Sequence, residues 1–195
     1  MAGRVLLVHG GLGEDMDAHR FWVAPGIVDA LERAGFDVHA PDRDTCPTSW
    51  PAAADALAGE LHRPATVVAG SNGVSVAVRL ALQRPDLVER MVLLWPATAS
   101  DPAVDALVPS AAAHLLAGDT IRGVADDELS AVDLPVAVMR SEPENPIHRH
   151  RTVDRLVELL PDATSIEPGF PEAPRPDFDL HLAPFVAALV PYLGD

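Results

Sequence analysis

The sequence predicts an α/β protein: a three-layer αβα sandwich on a mostly parallel six-stranded sheet. Three observations carry that expectation. Short apolar runs with strand character alternate with helix-like segments along the whole chain, the pattern of a parallel sheet covered on both faces. A glycine-rich loop, His9-Gly10-Gly11-Leu12-Gly13, follows the first apolar run directly. The run Ala65 to Ala69 passes into a helical stretch, Asn72 to Gln83, through a very short turn at Gly70, Ser71 and Asn72.

The elements follow in order. Arg4 to Val8 reads as a buried strand, and three glycines in the next loop permit close backbone approach to a ligand. An acidic loop with Glu14, Asp15 and Asp17 leads to a helix from Gly26 to Ala34, stopped by Gly35. Phe36 to Ala40 is the second strand and Ala52 to Leu61 the next helix. The strand–turn–helix unit around Ser71 follows, and then a strand from Arg90 to Trp95. Residues 97–134 are the least regular. Short helices near Ala103–Leu107, Ala111–Ala117 and Asp126–Ala131 would make a small cap-like insertion there. Pro135 to Met139 is the fifth strand, Arg140 to Pro146 a polar loop, and His148 to Leu160 a helix. Ala163 to Ile166 is the sixth strand, Pro168 to Pro176 a proline-rich loop, and Asp177 to Leu193 contains the last helix. With no repeat or linker, residues 1–195 read as one domain.

Composition narrows the function classes. The 195 residues suffice for one sizeable core, and 48% hydrophobic with 22% charged residues is ordinary for a globular chain. Net charge is −15, and all 14 basic residues are arginine. Such a surface is poorly suited to nucleic acid or to an anionic membrane. A single cysteine, Cys46, allows no intrachain disulfide and no cysteine metal cluster. The run Val5 to Val8 is too short for a signal peptide, so the expected location is the cytoplasm. Asp15, Asp17, Asp42 and Asp44 read as solvated loop charges; neither metal nor cofactor is expected, and the oligomeric state is open.

The turn at Ser71 is where chemistry concentrates. A reversal that sharp crowds the backbone two residues either side of its apex. Ala69 and Gly73, both small, occupy those positions. Ser71 would project above the carboxyl edge of the sheet, and Asn72 N–H would point from a helix N-terminus toward negative charge forming beside it. That is a nucleophile elbow. In such sheets ligands bind beyond the carboxyl ends of the strands. The loop after Val8 would then bring Gly11 N–H opposite Asn72 N–H, two donors for an oxyanion. His9 reads as an orienting residue of that loop.

Together these segments resemble the α/β-hydrolase family. Val-His-Gly-Gly is similar to its oxyanion loop, Phe36 to Arg43 to its next strand and loop, Ala-Gly-Ser-Asn-Gly to its elbow, and Arg84 to Leu94 to the following helix end and strand. The resemblance implies strand order 2-1-3-4-5-6, without the family's first two antiparallel strands. It also implies a nucleophile–acid–histidine order. Glu144 matches the acid best by spacing, with Glu142 as fallback. The only histidine beyond the sixth strand is His181, since Gly169-Phe170 stands where a Gly-His pair is usual. The expected triad is therefore Ser71, Glu144 and His181. His148 is the alternative base or a substrate contact, and Trp22 and Trp95 are further candidate contacts. The resulting expectation is a serine hydrolase for a small ester, thioester or lactone. A lyase-like relative and a ligand-binding pseudoenzyme are the alternatives.

Overall fold

The computed structural model describes residues 3–194. Its six strands are β1 (Arg4–Val8), β2 (Asp37–His39), β3 (Ala65–Gly70), β4 (Val88–Leu94), β5 (Val136–Ser141) and β6 (Ala163–Phe170). They form one sheet in the order β2-β1-β3-β4-β5-β6, as expected, and every neighbouring pair is parallel. The helices are α1 (Ile27–Arg33), α2 (Trp50–Ala58), α3 (Gly73–Gln83), α4 (Pro102–Asp105), α5 (Asp126–Leu129), α6 (His150–Leu159) and α7 (Leu182–Leu189).

The two-residue period of the strands divides the core into two layers. Leu6 and Val8 of β1 and Val67 and Ala69 of β3 join α2, α3 and α6 on one face. Val5 and Leu7 of β1 and Val68 of β3 join α1 and α7 on the other. All six residues of β3 are buried, which is why that stretch reads as a continuous apolar run rather than an alternating one. Each fully buried valine or leucine here contributes about 1.5–3 kcal/mol relative to exposure.

The segment between β4 and β5 contains α4, a 3₁₀ stretch at Ser110–Leu115, and α5, close to the three expected short helices. It is docked rather than loose. Ala112, Leu115, Ile121, Val124 and Leu129 are buried in the same layer as α2 and α3. Trp50 Nε1 donates to Leu115 O at 2.9 Å, and Arg79 forks onto both Glu128 oxygens at 2.6 and 2.7 Å.

Several boundaries differ from the expectation, α2 and β4 each starting two residues early, and two of the differences toward the C-terminus shape the site. β6 does not stop at Ile166 but runs on to Phe170, with an irregular register opposite β5 between Met139 and Ser141. Gly169 permits this close pairing: a Cβ there would lie 2.7 Å from the side chains of Arg140 and Glu142. The helix expected from His148 starts at His150 instead. Asn145 Oδ1 accepts from the N–H groups of Ile147 and His148, both at 3.0 Å, and Thr98 Oγ1 from Arg149 N–H at 3.0 Å, which holds 147–149 as loop. The last helix is a 3₁₀ turn at Phe178–Leu180 followed by α7.

Candidate active site

Ser71 lies at the turn from β3 to α3 with φ +53, the left-handed conformation that non-glycine residues seldom adopt. Its own N–H is held by Leu94 O of β4 at 3.0 Å. The small residues around it have identifiable neighbours. A Cβ on Gly73 would lie 2.6 Å from His9 O and 2.7 Å from Val8 O, and one on Gly70 would meet the Phe21 ring at 2.6 Å. The turn is therefore pressed against the β1 backbone on one side and an aromatic ring on the other.

The residue facing the serine is His148. Its Nε2 lies 3.0 Å from Ser71 Oγ, and its Nδ1 lies 2.9 Å from Glu172 Oε1. With Nδ1–H donating to the carboxylate, Nε2 is left to accept the serine hydroxyl proton. His148 and Glu172 side chains retain only 11% and 13% of their exposure. Glu172 Oε1 also accepts from Ser141 Oγ at 2.5 Å and from the Asn145 side-chain amide. Burial by itself would push this carboxyl up; hydrogen bonds from His148 and Ser141, with the attraction of the imidazole, outweigh it and hold it down to about 2.

This geometry corrects the expected partners of Ser71. Glu144 is exposed, and its Oε1 accepts from His150 N–H at 2.8 Å, at the start of α6. Glu142 is exposed and lies 3.5 Å from His150 Nε2. Neither reaches the serine–histidine pair. His181 sits at the N-terminus of α7, whose start lies over Gly26 at the head of α1, and it does not line the cavity. The proline-rich loop before it, Pro168 to Pro176, is partly consumed by the longer β6. Phe178, buried against Trp95 and Phe185, then draws the chain down one face of the sheet. Trp22 and Trp95, expected as substrate contacts, are fully buried core residues; Trp95 Nε1 donates to Phe170 O at 2.8 Å. Phe21 takes the wall position instead.

A nucleophile–acid–histidine order along the chain points away from Glu172, which lies after His148. The signal available was its place: it is the first carboxylate beyond Gly169-Phe170, the spot where the resemblance puts a histidine. The loops after β5 and β6 both open at the carboxyl edge, and here the first places an imidazole and the second a carboxylate in line with Ser71.

Ser71, His148 and Glu172 line a cavity of about 260 Å³ together with Gly11 and Asn72. Among the described residues, neither Gly11 N–H nor Asn72 N–H has a protein acceptor. Gly11 has φ +96, and a Cβ there would meet Met16 at 2.8 Å. The walls are mostly apolar, from Leu12, Met16, Phe21, Val104, Val108 and Ile147. On the deep side, Arg122, 1% exposed, donates to Asn72 Oδ1 and to Asp105 Oδ1, each at 2.9 Å. A shallow apolar groove continues outward past Leu107, Ile147 and Pro174. Among the described residues, no group of three or more His, Cys, Asp or Glu is placed to hold a metal ion, and no helix is long and apolar enough to cross a membrane.

No protein-family profile and no curated protein sequence matches the chain. Solved structures do. A hydrolase from Pseudomonas aeruginosa superposes with a TM-score of 0.75 at 15% identity, over 100% of this chain and 91% of that one. An α/β-hydrolase enzyme from a lagoon-sediment metagenome of Mar Chica, Morocco, gives 0.72 at 15% identity, covering 98% and 90%. The meta-cleavage product hydrolase CumD of Pseudomonas fluorescens gives 0.71 at 16%, covering 97% and 91%. With the strand order and the left-handed elbow, these likenesses show that the chain has the α/β-hydrolase fold.

Proposed function

We propose that the protein is a serine hydrolase acting on a small ester, thioester or lactone, with Ser71 as nucleophile, His148 as base and Glu172 as acid. The observation that carries this reading is the continuous relay from Ser71 Oγ through His148 to Glu172, 3.0 and 2.9 Å long. Fold alone would not support it, because one scaffold hosts many chemistries.

In this reading Ser71 Oγ attacks the carbonyl carbon while His148 Nε2 takes its proton. Glu172 balances the imidazolium through Nδ1–H. Gly11 and Asn72 N–H groups receive the oxyanion. Collapse breaks the bond to the leaving group, which takes the proton from His148. Water then repeats the sequence on the acyl-serine and releases the acid. The apolar walls suit a short uncharged acyl group. Net charge of −15, with Glu14 on the cavity wall, disfavours anionic substrates. The imidazole 3.0 Å from Ser71 Oγ supports this reading over that of a ligand-binding pseudoenzyme.

The test is a fluorophosphonate probe with peptide mapping. The adduct is expected on Ser71, strongly slowed in His148→Ala and unchanged in His181→Ala. An adduct on Ser75 or Ser141, or labelling indifferent to His148, would sink the reading.

A further inference from the structure

Arg43 makes contacts that the relay does not use. It follows β2 and reaches across to the loop after β1. Its Nε donates to His9 O at 2.8 Å, and its Nη2 donates to Gly10 O at 2.8 Å and Gly11 O at 2.7 Å. Its Nη1 donates to Asp44 O at 3.0 Å, and its backbone N–H donates to His9 Nε2 at 2.9 Å. That last bond fixes the imidazole tautomer. Nε2 accepts, so Nδ1 carries the proton and donates to Gly10 O at 2.8 Å. Burial, with the Arg43 charge beside it, lowers the His9 pKa and keeps the ring neutral in that tautomer. Burial also holds the Arg43 guanidinium down to about 10, which leaves it charged at neutral pH.

Gly10 O thus receives two donors, one of them cationic. Gly10 C=O and Gly11 N–H belong to the same conjugated peptide unit. Charge drawn toward that oxygen makes the N–H a stronger donor on the other side, as in any polarised hydrogen-bond chain. We propose that Arg43 is a positioning residue of the oxyanion hole: its guanidinium, with His9, locks the Gly10–Gly11 peptide and polarises Gly11 N–H toward the cavity. Gly11 O, bonded to the same Nη2, gives the following Leu12 N–H the same bias, and Leu12 also lines the cavity. The charge acts through the backbone. The guanidinium itself is spent on carbonyls and does not touch substrate.

The inference rests on Gly11 N–H being an oxyanion donor in the proposed reaction, so the experiment separates the two. Arg43→Lys and Arg43→Met are compared with wild type on p-nitrophenyl butyrate. Affinity for a butyl boronic acid, which adds to a serine as a tetrahedral anion, is measured against that for uncharged butyramide. The Gly11 amide proton shift is followed by NMR. With the fold intact by thermal melt, kcat should fall about 10-fold in Arg43→Lys and about 100-fold in Arg43→Met. That is the scale of losing an oxyanion donor. KM should stay within about twofold, boronate affinity should fall with kcat, butyramide affinity should hold, and the Gly11 amide should move upfield. A purely structural tie between the two loops predicts instead that boronate and butyramide weaken together, and that result overturns the proposal. So does a Gly11 amide that stays in place in folded Arg43→Met. If wild type shows no Ser71-dependent turnover while the amide still moves, the peptide polarisation stands and the hydrolase reading falls. If Arg43→Met does not fold, His9→Gln, which removes only the second donor on Gly10 O, should move the amide the same way by less. No movement there counts against the proposal.

Discussion

The two sides of the site are built by different means. On the β1–β3 side, position is imposed chiefly by backbone, with Arg43 and His9 tying down the loop carbonyls: Ser71 at φ +53, Gly73 against the carbonyls of Val8 and His9, and Gly11 at φ +96. On the β5–β6 side, position is imposed by side chains. Ser141, Asn145 and His148 converge on one carboxylate oxygen of Glu172. Backbone constraint is local, so a short stretch of sequence betrays it. A side-chain convergence depends on how two loops meet, and no single stretch announces it.

The contrast is sharpest in variants of the relay. His148→Ala should lower turnover about 10⁴-fold or more, with Ser71→Ala at least as severe, on the scale seen when triad members are removed. His181→Ala should leave turnover within about twofold; the reverse pattern in kcat/KM would refute the histidine assignment. Glu172→Gln should cost roughly 10³-fold or more through loss of the charge that orients and balances the imidazole. Glu144→Gln on the same ester should change the rate little.

The backbone side should fail in stability as well as rate. Gly73→Val forces a side chain into the β1 carbonyls, with an expected cost of about 1–3 kcal/mol from overpacking. Chemical denaturation with an activity assay checks both. A variant that melts like wild type and keeps its activity would mean the turn is not pressed against β1.

The side-chain network should show itself in pH. Glu172 is held at about 2, below its ordinary 4.5. A carboxyl depressed on folding contributes stability that is present above 4.5 and lost as pH falls toward 2. The gap in melting temperature between wild type and Glu172→Gln should therefore narrow across that window, and a gap that stays constant through it would contradict the bonding described. The smallest effect expected is on the start of α6. Glu144→Ala removes an acceptor from His150 N–H and should cost about 0.5–1 kcal/mol by denaturant titration, with turnover intact.

These two sides also explain what could be read in advance. Strand order, the elbow at Ser71 and the glycine loop were legible because period and small residues encode them directly. The partners of Ser71 were not. Glu144 has the right spacing after β5, yet its carboxylate turns back onto α6, where an unbonded backbone N–H is the nearer partner. His181 lies on the right side of β6 in sequence, yet burial of Phe178 with Trp95 and Phe185 places α7 behind the sheet. Glu172 became reachable only through the extra pairing of β6 past Gly169, a register irregularity with no periodic signature. His148 was available as an alternative because it follows β5 closely, and the Asn145 turn that frees it from α6 is what points its ring at Ser71.

Arg122 has a consequence for how ligands arrive. Its guanidinium joins Asn72, beside Ser71, to Asp105 on α4, and it is almost wholly enclosed. Arg122 and Asp105 both belong to the β4–β5 segment, so swinging it aside would carry that pair along but strip the buried guanidinium from Asn72 and part Glu128 from Arg79, an expensive separation. That segment therefore behaves as fixed wall. In the proposed reaction the way in lies over the open rim at Leu107 and Ile147, which are 63% and 37% exposed. Encounter is then a single bimolecular step with no slow opening ahead of it. In stopped-flow mixing the observed binding rate should climb in proportion to ligand concentration, and a plateau set by a preceding isomerisation would show that the wall moves after all.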